Sequence, residues 1–243
     1  MTIAKGGITN QGMMIGILML ETVFPRLPGD VGNGWTFDFP VMFRKVTGAN
    51  PTSVVKNADP ALLRPFIEGA QALEAAGCKA IATSCGFLVM FQKEMAAAVN
   101  IPVISSSLLQ VPFVGRLLGP DKKVGIITAK ASSLTEKHFK GAGMENCRFA
   151  IQGMEEFPEF FRTYIENNDA MDVKKATEEM REAGRKLIRE NPDVGAIVLE
   201  CTNMPPFAYA VQEVTGLPVY DVVTLIRYTA MSLARGPFTA RSL

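Results

Sequence analysis

The chain has 243 residues, of which 48% are hydrophobic, and its formal net charge at pH 7 is +1. This near-neutral charge, with no basic run, excludes nucleic acid and an anionic membrane surface as expected partners. Four cysteines in a chain of this length do not make a disulfide framework, and we see no secretory signal, so we expect free thiols and a cytoplasmic location.

The first part of the chain predicts alternating strands and helices. Residues 14–20 are a continuous apolar run, which is typical of a strand buried on both faces of a parallel sheet and too short to span a bilayer. Residues 21–50 are rich in proline and glycine and are predicted to form an extended loop. Asp59-Pro60 predicts the start of a helix that runs to about Ala76. The next predicted elements are strand 79–84, helix 88–99, strand 103–105 and helix 108–118.

The second part begins again with the same plan. Residues 123–128, KVGIIT, predict a strand in which Gly125-Ile126 corresponds to Gly16-Ile17. Ser133 to Glu136 has the spacing of a capping box and predicts a short helix to Gly141. An irregular piece at 144–158 is followed by predicted helices 159–166 and 171–190. A short strand with Cys201 at its end comes next, and a last helix at 222–234 ends at Gly236-Pro237.

One stretch of the second part repeats a stretch of the first. Residues 194–221 lie without a gap on residues 78–105, so that Cys201 falls on Cys85 and Pro218 on Pro102. Each copy predicts a short strand, a cysteine at its end, a helix, and a Pro-Val that opens the next strand. Such internal similarity indicates two related structural units, each offering one cysteine at an equivalent place.

The strand and helix order predicts an α/β protein made of two pseudo-symmetric, doubly wound parallel-sheet halves, with the active site in the cleft between them. The first half comprises residues 1–120 and carries Cys85. The second comprises residues 121–243 and carries Cys201, with residues 222–243 expected to pack back on the first half. Ligands of such sheets bind beyond the carboxyl ends of the strands, where both cysteines are predicted to lie.

The position of the two cysteines indicates acid–base chemistry. A helix N-terminus lowers the pKa of a thiol, and its free N–H groups, here in Gly86-Phe87 and Thr202-Asn203, bind anions such as a carboxylate. Two thiols on opposite sides of a bound carbon can invert it, because one removes a proton and the other returns one. The competing interpretation is packing, since cysteine is often buried, and we adopt it for Cys78 and Cys147.

Other residues are given weaker roles. Ser84, Ser105, Ser106 and Ser107 either face the cleft or cap helices. Arg26 pairs with a second substrate carboxylate or lies at the surface, and Glu200 contacts a substrate ammonium or orients Cys201. The loop 25–34, with Asp30, is predicted to cover the cleft. Phe87, Met204, Pro205, Pro206 and Phe207 are expected to form an apolar wall or core. His138 is predicted to be exposed and without a catalytic role.

At these residues the chain resembles the aspartate/glutamate racemase superfamily, which works without pyridoxal phosphate and includes hydantoin racemases, maleate isomerases and arylmalonate decarboxylases. Cys85 matches the first cysteine of the amino-acid racemases and Cys201-Thr202 matches their second Cys-Thr. Glu21-Thr22 resembles the acid and hydroxyl pair that assists the first cysteine. Thr128 matches a hydroxyl region that helps to hold the substrate.

The chain also departs from the pattern of the glutamate enzymes. Gly86-Phe87 stand where those enzymes have Asn-Thr, and Asn203 stands where they have histidine, so Cys-Thr-Asn is closer to the maleate isomerase and decarboxylase branch. The decarboxylases keep one cysteine, and the presence of both argues against decarboxylation. The resemblance implies a racemase or epimerase of a small amino acid, with hydantoin racemase, maleate cis–trans isomerase and a non-catalytic two-lobed binder as alternatives.

We therefore expect Cys85 and Cys201 to be catalytic and a small carboxylate to be the substrate. No lysine lies in a recognisable Schiff-base context and no metal-ligand spacing is present, so we expect no cofactor and no metal. The oligomeric state, including a homodimer, is left open. The residues expected to bind the substrate are Glu21, Thr22, Arg26, Ser84, Gly86, Phe87, Thr128, Thr202 and Asn203.

Overall fold

A computed structural model of the protein describes residues 4, 6–56 and 59–235. Along these residues, strands and helices alternate. The strands are β1 (Ile15–Met19), β2 (Val41–Lys45), β3 (Ala80–Thr83), β4 (Val103–Ile104), β5 (Lys123–Thr128), β6 (Phe149–Gly153), β7 (Val194–Leu199) and β8 (Val219–Tyr220). The α-helices are α1 (Leu63–Ala75), α2 (Gln92–Ala97), α3 (Val111–Leu117), α4 (Glu136–Gly141), α5 (Pro158–Tyr164), α6 (Val173–Glu190), α7 (Ala208–Thr215) and α8 (Val222–Leu233). Within the described part of the chain, no helix has the length and apolar character needed to cross a membrane.

The strands form two four-stranded parallel sheets of identical plan. Their orders are β2-β1-β3-β4 and β6-β5-β7-β8. The registers also correspond, because Ile81 of β3 lies between Gly16 and Val103, while its counterpart Ile197 lies between Gly125 and Val219. The predicted fold class, with two related parallel-sheet halves, is confirmed.

The central strands β1 and β5 each carry a glycine that lets a helix approach. A methyl group at Gly16 would stand 2.9 Å from a side-chain atom of Leu73 in α1 and 3.1 Å from the sulfur of Cys78. At Gly125 it would stand 2.7 Å from the side chain of Leu187 in α6. The corresponding glycines therefore explain the repeated Gly-Ile pair, and Cys78 is a packing residue, as predicted.

Helix α8 packs on the first sheet although it follows the last strand of the second. Asp221 accepts a hydrogen bond from the N–H of Thr224, which caps the helix start. Val222, Ile226 and Ala230 then join a buried cluster with side chains of β1, β3 and β4. The predicted end of this helix at Gly236-Pro237 lies outside the described residues.

Two strands were missed in the sequence. Both β2 and β6 lie at a sheet edge, where most of their side chains are partly buried or exposed, and neither belongs to the repeated stretch. The prediction of a loop over residues 21–50 was therefore wrong at β2, and the prediction of an irregular segment over residues 144–158 was wrong at β6. Several predicted helices also begin one turn later than expected, because a 3₁₀ turn precedes α1, α2 and α3.

The expected start of α4 and the exposure of His138 were also wrong. Thr135, rather than Ser133, is the N-cap, and the His138 ring accepts the N–H of Thr135 at 3.1 Å to close the capping box. His138 is 1% exposed, and its ring meets the edge of Phe87 from the other half at 5.4 Å between centroids. Spacing alone did not reveal which face of α4 meets the first half.

Candidate active site

The two repeated cysteines line one enclosed cavity of about 30 Å³ between the halves. Strand β3 is followed by Ser84 and then by Cys85. In the same way, strand β7 is followed by Glu200 and then by Cys201. A volume of this size holds about one water molecule, so a substrate requires the cavity to widen. The wall combines both halves and consists of Leu20, Thr22, Phe24, Pro51, Val55, Ser84, Cys85, Gly86, Phe87, Ala129, Tyr164, Ile165, Glu200, Cys201 and Asn203.

Both thiols are neutral in this closed form. Burial and then the charge of ionised Glu200 together raise the pKa of the Cys85 thiol to about 12, although the backbone N–H groups of Phe87 and Leu88 lower it. Burial and then Glu200 also raise the pKa of Cys201 well above its usual range. The predicted lowering of the thiol pKa by turn N–H groups is therefore present but is outweighed by loss of water.

Glu200 is a fully buried carboxyl group at the centre of the site. Its Oε2 accepts a hydrogen bond from the hydroxyl of Thr128 at 2.8 Å, and the N–H of Ala129 also donates to the carboxyl group. Its Oε1 is buried and has no hydrogen-bond partner in the described structure. Burial raises the pKa of Glu200 to about 7. Thr128, which was predicted to hold the substrate, is not in the cavity wall and instead holds Glu200.

Asn203 is held from the first half by Asp30. The Nδ2 of Asn203 donates to Asp30 Oδ2 at 2.6 Å, which turns its Oδ1 towards the thiol of Cys201 at 3.4 Å. Asp30 Oδ1 accepts from Arg26 at 2.8 Å, and the other guanidinium nitrogen of Arg26 donates to Thr22. Arg26 is therefore already engaged by a carboxylate, and its side chain is not in the cavity wall.

The Asp30 network yields a stability prediction. Asp30→Ala removes a buried partner of both Arg26 and Asn203, and we expect the free energy of unfolding to fall by about 3 kcal/mol, since breaking a buried pair leaves its partners unsatisfied. The control is Asp38→Ala, because Asp38 pairs with Arg227 at an exposed site. Its loss should lower the free energy of unfolding by less than about 1 kcal/mol. Urea unfolding of both variants measures the difference, and equal losses would contradict the role given to Asp30.

Two of the residues predicted to bind the substrate, Thr202 and Ser84, also join the two halves. The hydroxyl of Thr202 donates to the backbone oxygen of Ser84 at 2.7 Å, and the N–H of Val31 donates to the backbone oxygen of Thr202. Ser84 Oγ accepts the N–H of Leu20, and Ser107 donates to the backbone oxygen of Leu199 at 2.6 Å. The loop 25–34 is thus fastened to the second half in this form, with Asp30 fully buried.

The remaining serines and Glu21 lie outside the cavity wall. Ser106 caps the turn at Leu108, and Ser105 donates to Gln92. Glu21 pairs with Lys45 at 3.2 Å and accepts the N–H of Gly48, so it does not reach Cys85. Glu21 lines an open outer groove of about 1040 Å³. Leu20, Thr22 and Pro51 line both this groove and the inner cavity.

Comparison with known proteins identifies the family. A sequence model described as Asp/Glu/Hydantoin racemase matches residues 46–227. The chain belongs to this family. The resemblance carried by Cys85, Cys201 and Thr202 is thereby confirmed at the level of the family, and the family indicates an enzyme.

This racemase-family chain is similar in sequence to lyases and similar in fold to a solved racemase. A dimethylsulfoniopropionate lyase of Durusdinium sp. clade D is 31% identical over 216 residues, which cover 86% of this chain and 71% of that protein. Dimethylsulfoniopropionate lyase 7 of Emiliania huxleyi (strain CCMP1516) is 29% identical over 220 residues, 86% of this chain, and the match spans 64% of the relative. The solved allantoin racemase from Klebsiella pneumoniae shares the fold, with a TM-score of 0.62 at 15% identity, covering 90% of this chain and 87% of that one.

Two aromatic residues of the racemase-family site were missed in the sequence. Tyr164, in α5, reaches the cavity with a buried hydroxyl that lacks a partner among the described residues. Burial raises the pKa of Tyr164, and the negative charge of Asp30 adds to this, so the hydroxyl stays neutral. The ring of Phe24 meets the Tyr164 ring edge-on at 5.0 Å. Neither lies at the end of a predicted strand, so the repeat gave no signal for them.

Proposed function

We propose that the protein is a lyase that removes an α-proton from a small carboxylate and expels its β-substituent, with dimethylsulfoniopropionate as the substrate. The observation that carries the proposal is that Cys85 and Cys201 enter one buried cavity from equivalent strand ends. Proton removal next to a carboxylate is the first step both of this elimination and of racemisation. The 31% identical lyase, which aligns with 86% of this chain, supports the elimination.

The charges of the cavity wall favour a sulfonium substrate over an acidic amino acid. Among the described residues that line the cavity, there is no lysine, arginine or histidine, and Arg26 beside it is paired with Asp30. A second carboxylate, as in aspartate or glutamate, would lack a cation to pair with. A sulfonium cation instead fits beside the aromatic rings of Phe87 and Tyr164 and the side-chain oxygen of Asn203.

The positive charge of the sulfonium group also explains how a buried, neutral thiol can lose its proton and act as a base. A cation placed within a few ångströms of a thiol favours the thiolate and lowers its pKa. Cys85 is the better base, because two N–H groups, of Phe87 and Leu88, favour its thiolate. Cys201 receives one such group, from Asn203, and donates its own proton to Asn203 Oδ1. We therefore assign proton removal to Cys85.

The elimination breaks one C–H bond and one C–S bond and forms one carbon–carbon double bond. The Cys85 thiolate takes the proton from the carbon next to the carboxylate, and that C–H electron pair forms the new carbon–carbon double bond. The bond from the β-carbon to sulfur breaks, and its electron pair leaves with dimethyl sulfide. Acrylate remains, and Cys85 returns as a thiol. The proton that Cys85 lost on activation is released to solvent, so each turnover yields acrylate, dimethyl sulfide and one proton.

A cofactor-independent racemase is the second candidate, and the symmetry of the site favours it. An elimination needs one base, whereas two thiols at equivalent positions suit a reaction that takes a proton from one face and returns it to the other. An amino acid with an uncharged side chain or a hydantoin fits a cavity without a cation better than glutamate does.

The two candidates are separated by product analysis with the purified protein. Incubation with dimethylsulfoniopropionate is expected to release dimethyl sulfide into the headspace and an equal amount of acrylate into solution. Parallel incubations with single enantiomers of amino acids and hydantoins, and with maleate, follow optical rotation and isomer content. Inversion without dimethyl sulfide would replace the lyase by the racemase, and inertness towards the whole panel would favour the non-catalytic binder.

A further inference from the structure

The carboxyl group of Glu200 is asymmetric in its hydrogen bonding. Its Oε2 is already an acceptor of the Thr128 hydroxyl, and the N–H of Ala129 also donates to the group. Its Oε1 is fully buried without a partner in the part of the chain that the structure describes. This oxygen lies against Gly86, where a methyl group would come closer than 3.0 Å to it, so Glu200 reaches from the second half to the turn that carries Cys85.

The groups that face Glu200 carry no positive charge to stabilise an anion there. From the first half it meets the thiol of Cys85, and from its own turn the thiol of Cys201, both of which are neutral. Tyr164 in α5 is also neutral, and His138 in α4, behind Phe87, has a pKa that burial lowers. Asp30 and Arg26, which lie behind Asn203, pair with each other.

We propose that Glu200 binds the substrate as a neutral acid, with its proton on Oε1 donated to the substrate carboxylate. The proton belongs on Oε1 because the Thr128 hydroxyl already donates to Oε2, whereas Oε1 has no partner among the described residues. An ionised Glu200 would repel a carboxylate in a cavity that lacks a cation, whereas the neutral acid donates a hydrogen bond to it. That bond strengthens as removal of the α-proton moves negative charge onto the carboxylate oxygens.

This assignment rests on the proposed function only in taking a small carboxylate as the ligand. It differs from both roles expected in the sequence analysis, since contact with a substrate ammonium would require the ionised acid, and orientation of Cys201 would require no contact with the substrate. Burial already raises the pKa of Glu200 to about 7, and binding of an anion beside Oε1 raises it further. Carboxylate binding above pH 7 must then take up one proton.

Propionate is a suitable probe, because it has the carboxylate and carbon chain without a leaving group. Its binding to the full chain is measured by titration calorimetry from pH 6 to pH 9, in two buffers of different ionisation enthalpy, which counts the protons taken up. For the wild type we expect an affinity that is level below about pH 7 and falls about tenfold for each pH unit above it. Close to one proton is taken up per propionate bound at pH 9.

Glu200→Gln is the decisive variant, because glutamine reproduces the protonated acid. Its side-chain oxygen can accept from Thr128 and Ala129, and its amide N–H₂ can donate where the Oε1 proton stood. We expect propionate binding that does not change with pH, without proton uptake, and about a hundredfold tighter than wild type at pH 9. Glu178→Gln, which removes an exposed charge from α6, should behave like the wild type.

Three results would overturn the assignment. They are loss of propionate binding by Glu200→Gln across the whole pH range, binding by the wild type without proton uptake at pH 9, and no binding by the wild type at pH 6. The wild-type measurement decides the question even if the variant is unstable. Proton-linked propionate binding by a protein that releases no dimethyl sulfide would contradict the proposed lyase alone and leave the role of Glu200 intact.

Discussion

Cys85→Ser is expected to reduce the release of dimethyl sulfide by at least about 10³-fold, because a serine hydroxyl is far too weak an acid to supply the base. Cys201→Ser should retain part of the elimination and lose any inversion of a chiral substrate, since Cys201 serves the opposite face. Headspace analysis and optical rotation measure the two reactions separately.

The control for the cysteine variants is Cys147→Ser, because Cys147 is half-buried and is not part of the cavity wall. It should keep full activity. Circular dichroism and unfolding midpoints establish that the three serine variants are folded. Wild-type rates in Cys85→Ser would show that its thiol is not the base, and loss of elimination in Cys201→Ser alone would exchange the roles of the two thiols.

Gly86→Ala is expected to damage both stability and activity. A methyl group at residue 86 would lie 2.5 Å from the backbone oxygen of Glu200 and 3.0 Å from the hydroxyl oxygen of Ser106, besides its clash with Glu200 Oε1. A backbone oxygen at the end of β7 cannot move without shifting the second half. Overpacking of this kind costs about 1–3 kcal/mol, and the two thiols would be moved apart.

Gly119→Ala provides the matched control for this variant. A methyl group at residue 119 meets nothing within 4 Å, and its backbone is not in the left-handed region. We expect its unfolding in urea and its turnover to match the wild type. Gly86→Ala with an unchanged unfolding midpoint would mean that the turn after Cys85 can withdraw from Glu200, and the packing of the halves around that residue would have to be revised.

The internal repeat was enough to predict two related parallel sheets and the equivalent positions of Cys85 and Cys201. Because both copies align without a gap, Cys85 and Cys201 had to follow equivalent strands of parallel sheets, and ligands bind at that edge. The registers around Ile81 and Ile197 bear this out. The edge strands β2 and β6 escaped prediction, since neither lies in the repeated stretch and their side chains are mostly partly buried or exposed.

The chemistry of the site was less accessible, because it depends on contacts between residues far apart in the chain. Asn203 meets Asp30 across 173 positions, and Thr128 meets Glu200 across 72. Sequence spacing gives no sign of either contact, nor of the arrival of Tyr164 from α5. The thiol pKa was predicted in the wrong direction for a related reason, since the N–H groups of the turn are visible in the sequence but the extent of burial is not.

Proton removal next to a carboxylate by the Cys85 thiol is most directly tested by proton NMR in deuterated water. Wild type and Cys85→Ser are each incubated with dimethylsulfoniopropionate and with the panel of chiral substrates. The account predicts that the wild type produces acrylate vinyl signals and the dimethyl sulfide methyl signal, and that Cys85→Ser produces neither. Unchanged spectra with wild-type protein for every compound, or equal reaction by Cys85→Ser, would contradict it.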